Sequence, residues 1–181
     1  MRSDFQRAFI RPETRVFGLE LQPLTVGHLL HLFRSDLPPF ASAGPAELLQ
    51  AVFYCSQPWR DSERDKNKWW ARLFCRFWWS RVKRMKYLDH LAAFNDYITD
   101  GLYIPQTKHD PQTARTVESP SPVRLLAAGM AYFGMSYDEV LDAPVKELCA
   151  IYIAYMEMEG RAELWTEDDE QLWLAAQGRN N

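Results

Sequence analysis

The chain has 181 residues, a net charge of −3 and an apolar content of 47%, enough for one ordinary core and no overall attraction for nucleic acid. Seven tryptophans, eight tyrosines and ten phenylalanines make it aromatic-rich, and buried indoles and phenols require hydrogen-bond partners, so specific polar contacts are expected inside. Residues 1–11 lack the apolar run of a secretory leader, and the apolar stretch at 69–79 is too short and too arginine-rich to span a bilayer, so no membrane partner is expected.

In chain order, residues 15–21 alternate, with Phe17, Leu19 and Leu21 on one face and Gly18 and Glu20 on the other. This predicts a short strand, or half of a hairpin whose other half is Ala8, Phe9 and Ile10. Pro23 ends it, and Thr25 is placed to cap a helix carrying Val26, Leu29, Leu30 and Phe33 at helical spacing, stopped by Pro38 and Pro39. Gly44 and Pro45 restart the pattern, with proline at the first helical position and Leu48, Leu49, Val52 and Phe53 on the buried face.

Residues 66–86 predict one long helix with Trp69, Trp70, Trp78 and Trp79 around Leu73, Phe74, Cys75 and Phe77. Arg72, Arg76, Ser80 and Lys83 recur at steps of four, four and three, one narrow polar stripe on an otherwise apolar cylinder. Such a helix is buried on several sides, as the central element of a helical assembly or under another chain. A further helix carries Leu88, Leu91, Phe94 and Tyr97 and ends at Gly101.

Residues 105–122 hold Pro105, Pro111, Pro120 and Pro122 with few apolar side chains, a long loop dividing the chain. The expected organisation is an N-terminal helical part over 1–104, the proline-rich connection over 105–122, and a C-terminal helical part over 123–181, or one domain overall. Beyond the loop, Pro122 starts a helix with Leu125, Leu126, Met130 and Phe133 that ends at Gly134. Ser136 and Glu139 form a capping box, and Pro144 opens a helix with Leu148, Ile151, Tyr152 and Tyr155 that Gly160 stops. Thr166 and Asp169 repeat the box spacing before Leu172 and Trp173. The fold class expected is mainly α, a multi-helix bundle with a short N-terminal β-strand or hairpin.

Charge is unevenly placed: 60–86 hold ten Lys or Arg against three acids, and 138–170 hold eleven acids against Lys146 and Arg161. The two stretches are complementary, within one molecule or between neighbours. Glu167, Asp168, Asp169 and Glu170 fall in the first turn of the last helix, where carboxylates suit the dipole and also offer a patch to a basic partner. Trp69, Trp70, Arg72, Arg76, Trp78 and Trp79, with these four acids, are the candidate protein-binding residues.

Catalytic signals are missing. No GxSxG elbow, phosphate-binding glycine loop or dinucleotide fingerprint occurs, so neither an enzyme nor a cofactor is expected. His28 and His31 sit close enough on a helix to share a metal, yet the sequence places no third ligand nearby; two helix-surface or half-buried histidines are the expectation, with no metal. Cys55, Cys75 and Cys149 are widely spaced among apolar neighbours and read as buried thiols in a reducing cytoplasm.

Three phrases, in order and spacing, resemble helical proteins encoded among the tail genes of bacteriophages and prophages. They are LQPLTVGHLL at 21–30, FYCSQPW at 53–59 (followed by the tryptophan helix and FNDYI at 94–98), and GMSYDEVLDAP at 134–144, leading into Met158, Glu159 and Gly160. Proteins of this kind resemble tail assembly chaperones. The resemblance implies a small helical protein of the bacterial host cytoplasm, without enzymatic activity, that coats the tape-measure protein and recruits tail-tube subunits, with self-association as a further expectation. The other role it implies is a structural virion component, a head–tail connector or tail-completion subunit.

Overall fold

In a computed structural model, residues 3–39, 44–61, 87–105 and 121–161 are described, and they are mainly helical with one small antiparallel hairpin near the N-terminus. The order is α1 (Ser3–Phe9), β1 (Arg15–Val16), β2 (Leu19–Glu20), α2 (Val26–Arg34), α3 (Pro45–Cys55), α4 (Tyr87–Gly101), α5 (Ser121–Phe133), α6 (Tyr137–Asp142) and α7 (Val145–Met158). The expected tryptophan helix at 66–86, the proline-rich run at 106–120 and the acidic turn at 167–170 with its capping box lie outside the described residues.

The expected hairpin exists, with different strands. Residues 8 and 9 are helical, and the stretch expected to be one strand is itself the hairpin, pairing Arg15 with Glu20 and Val16 with Leu19. Phe17 and Gly18 form its two-residue turn at φ 52° and 78°, the positive values of a type I′ turn. Glycine reaches that region freely, whereas phenylalanine is strained there by about 1–2 kcal/mol. Burial offsets the strain: Phe17 is fully buried, its ring centroid lies 4.4 Å from that of His90 on α4, and its N–H donates to His90 Nδ1 at 3.3 Å. Alternation alone misread this stretch because it takes no account of which residue must turn.

The helices begin and end where local chemistry places them. Thr25 caps α2, and the chain leaves that helix through a Schellman motif in which Asp36 N–H donates to the Phe33 carbonyl and Leu37 N–H to the Leu32 carbonyl. Asp36 takes the left-handed conformation at φ 52°, and Leu37 and Leu32 are both buried. In α3, Pro45 opens the helix and Leu48, Leu49, Val52 and Phe53 are buried as expected. Ser136 caps α6: its N–H donates to Glu139 Oε2 at 2.8 Å, while the Glu139 N–H donates back to Ser136 Oγ at 3.4 Å. The Ser136 hydroxyl, donating to the same Oε2 at 2.7 Å, and then the Ser136 N–H hold the Glu139 carboxyl below its ordinary range.

Apolar stripes were less reliable guides to burial. Phe94, Tyr97 and Leu148 are buried, but Leu88, Met130 and Ile151 are exposed. For α5 the reason is Gly129, which lies against Val140 of α6; a methyl group added to it would sit 2.7 Å from the Val140 side chain. That close approach turns the opposite face of α5, with Val123, Ala127, Met130 and Ala131, to solvent.

The described chain falls into two compact units, each discontinuous in sequence. One combines Arg11–Leu102 with Ser119–Val145. In it α2 packs against α3, α5 and α6, and α4 packs against α3 and β1. The other combines Met1–Ile10, Tyr103–Glu118 and Lys146–Asn181; within it the Lys146 ammonium donates to the Ile10 carbonyl, and the Arg7 guanidinium lies 4.7 Å from the Tyr103 ring centroid.

Candidate functional site

The first turn of α2 is where three distant stretches of chain meet. Backbone starts the assembly: Val26 N–H donates to the Ala143 carbonyl at 3.1 Å and Val145 N–H to the Leu24 carbonyl at 2.9 Å, so Thr25 and Pro144 face each other across an antiparallel bridge. From the third stretch, Gln22 N–H donates to the Cys55 carbonyl at 2.8 Å.

His28 ties these together. Its backbone N–H donates to Thr25 Oγ1 at 3.3 Å, and the Thr25 N–H donates back to His28 Nδ1 at 3.3 Å. With Nδ1 accepting, the ring proton is on Nε2, and that N–H donates to the Gln57 carbonyl at 2.8 Å. The residue is 2% exposed, and burial, partly countered by hydrogen bonds to the Gln57 and Pro23 backbone, lowers its pKa from the ordinary 6.5. His31, one turn on, is also buried, with its ring edge-on to Tyr54 at 4.2 Å. The histidines expected at the surface or half-buried are therefore core residues, and both ring nitrogens of His28 are engaged by protein atoms. Among the described residues, no three His, Cys, Asp or Glu side chains come together as a metal-ligand group.

Next to His28, Gly27 gives the indole of Trp59 room to lie directly on the α2 backbone. A Cβ at position 27 would stand 2.5 Å from Trp59 Cγ and Cδ2. The indole N–H donates to Asp142 Oδ1 at 2.5 Å, the partner that a largely covered indole requires. Arg60 grips the same carboxylate with both arms, Nη2 to Oδ2 at 2.8 Å and Nε to Oδ1 at 3.2 Å, and lies 3.7 Å from Asp138. The Asp142 carboxyl is held below its ordinary value mainly by the Arg60 hydrogen bonds, with that of Trp59 adding to them. Both charged side chains are about half exposed, so the ion pair orients the indole more than it stabilises the fold. Arg60 opens the basic stretch and Asp138 and Asp142 open the acidic one; at these residues the complementarity is satisfied within one chain.

Beneath the junction, Tyr97, Gln22 and Cys55 are linked in a short hydrogen-bonded chain. The Tyr97 hydroxyl donates to the Gln22 carbonyl at 2.9 Å, and the Gln22 N–H donates to the Cys55 carbonyl at 2.8 Å. Burial pushes the Cys55 thiol up to about 12 and Tyr97 well above its usual value. At pH 8 the thiolate fraction of Cys55 is then roughly one in ten thousand. Ellman's reagent is expected to leave Cys55 unmodified in the native protein and to modify it fully in urea; native-state labelling at the rate of a free thiol would show that Cys55 is not buried. Replacing Tyr97 by phenylalanine removes the bridge and strands the Gln22 carbonyl, at a cost of about 1–3 kcal/mol in urea unfolding.

Trp69, Trp70, Arg72, Arg76, Trp78, Trp79 and the acids Glu167, Asp168, Asp169 and Glu170 lie outside the described residues. Sequence reasoning singled out no role for Gly27, Trp59, Arg60 or Asp142. The available signal was indirect, in that Gly27, Trp59 and Asp142 stand one in each of the three phrases quoted above. No helix among the described residues is long and apolar enough to cross a membrane. Compared with known proteins, the chain matches no family model, no curated protein and no solved structure.

Proposed function

We propose that this chain is a bacteriophage tail morphogenesis protein, a tail assembly chaperone that works by binding proteins and not by catalysis. The reading rests on the resemblance of the three phrases, and one observation supports it: all three converge on the first turn of α2, through Gly27, Trp59 and Asp142. Phrases that meet in space constrain one another, so their joint occurrence carries more weight than three capped helices would separately. The reactive side chains of the junction suit a structural task, since His28 and Tyr97 are committed to backbone groups and Cys55 is fully buried. The apolar outer face of α5 suits a protein that holds other proteins. In this reading the clients are a tape-measure protein and tail-tube subunits, met in the host cytoplasm.

The test is affinity purification of the tagged chain from its producing cells, with mass spectrometry of what is retained and of purified virions. Recovery of a long tape-measure or tail-tube protein, with this chain absent from virions, is the expected result. Persistence of the chain in virions alongside portal or capsid proteins would make it a structural component instead. Retention of no phage protein would remove the proposal.

A further inference from the structure

We propose that His28 is an acid-operated latch: protonation at Nδ1 releases the first turn of α2 from the Gln57–Arg60 stretch and from α6. The inference does not depend on the tail-assembly reading, since it follows from the chemistry of one cap.

A capping box normally closes with Glu or Gln at its fourth position, whose side chain accepts the N-cap N–H. The box at Ser136 follows that rule with Glu139. The box at Thr25 puts His28 in that position, and its Nδ1 is the acceptor. A carboxylate accepts throughout the physiological range, whereas an imidazole accepts only while neutral. Once Nδ1 carries a proton, its N–H can turn to the Thr25 hydroxyl 3.1 Å away, but the Thr25 N–H loses its acceptor. The new positive charge would also stand at the positive end of the helix dipole, in a site closed to water. Moving the ring out to water relieves both the buried charge and the orphaned Thr25 N–H, and its Nε2 bond to Gln57 breaks with that movement.

No neighbouring charge rescues the cation. On α2 itself the other titratable or charged side chains are His31 and Arg34. Those on elements packed against α2 are Glu47, Tyr54 and Cys55 of α3, Arg124 and Tyr132 of α5, and Tyr137, Asp138, Glu139 and Asp142 of α6. None contributes to the shift at His28, which burial and two backbone carbonyls account for. Asp142 holds Trp59 and Arg60, and Glu139 holds Ser136.

The sign follows. Above the ordinary histidine value of 6.5, open and closed forms are both neutral and the latch holds at full strength. Below it the open form binds a proton that the closed form refuses, so opening gains up to about tenfold per pH unit until the lowered value of the closed form is reached.

Hydrogen exchange of the full chain at pH 7.5 and 5.5, corrected for the intrinsic pH dependence, tests this. Peptides spanning 24–30 and 56–61 are expected to exchange faster, relative to intrinsic, by up to about tenfold at the lower pH, while that spanning 136–142 keeps its protection. In His28→Gln, whose amide oxygen accepts at any pH, protection is expected to be the same at both. Unchanged protection of the unaltered chain at pH 5.5, or equal loss in His28→Gln, would overturn the proposal. Nitrogen-15 spectra of the imidazole decide independently of any variant: at pH 7.5 they are expected to show the Nε2–H tautomer, and an Nδ1–H tautomer would refute the latch.

Discussion

Replacing Phe17 by alanine is expected to lower unfolding stability by about 3–5 kcal/mol, among the largest effects of any single truncation in this protein. Phe17 is a turn residue and would ordinarily be exposed, yet it is fully buried against His90. Its ring is what attaches the hairpin to α4, and removing it leaves a cavity that a two-residue turn has little freedom to fill. The backbone adds a second, separable effect. At φ 52° any residue with a Cβ is strained, so Phe17→Gly should be less damaging than Phe17→Ala by about 1 kcal/mol, although glycine ordinarily destabilises ordered chain relative to alanine. Urea unfolding followed by circular dichroism measures both. A cost below about 1 kcal/mol for Phe17→Ala would show that the ring is not an anchor. Alanine outperforming glycine would show that the turn is not of the positive-φ type.

Gly27→Ala is expected to cost about 1–3 kcal/mol, through overpacking and not through lost contacts. The added methyl meets Trp59 at 2.5 Å and the Leu141 carbonyl at 3.0 Å, and the indole cannot retreat while Asp142 and Arg60 hold it. The decisive measurement is the double-mutant cycle with Trp59→Ala. Once the indole is gone, Gly27→Ala should lose at least half its cost, since only the Leu141 carbonyl remains close; a coupling of about 1–2 kcal/mol is expected. Additive costs would mean that Trp59 does not rest on Gly27, and the junction as described would fall with that result.

How much of this was legible beforehand follows physical range. The starts of α2, α3 and α6, and the stops at Gly134 and Gly160, depend on groups within one or two turns of each other, so Thr25, Pro45 and Ser136 announced them correctly. Gly134 and Gly160 adopt the positive φ, 62° and 67°, that such stops use. The mainly helical class with a small hairpin was equally readable, because amphipathic period and capping agree over most of the chain. The hairpin's own pairing was not, because Phe17 turns against its local preference and only burial against α4 explains why.

The junction was decided entirely by tertiary structure. Tyr97 reaches Gln22 across 75 positions, Trp59 reaches Asp142 across 83, and His28 reaches Gln57 across 29. No local pattern encodes those distances, since each partner would form the same helix end or turn without the other. The same holds for burial: the sequence marked α5 as apolar, but the approach of Gly129 to Val140 chose which face met the core. By itself, then, the sequence determined where α2, α3 and α6 begin and where α5 and α7 stop, because capping is settled within a few residues. Which histidine is a core residue, and which glycine carries an indole, were settled by the path that brings α2, α6 and residues 53–60 together.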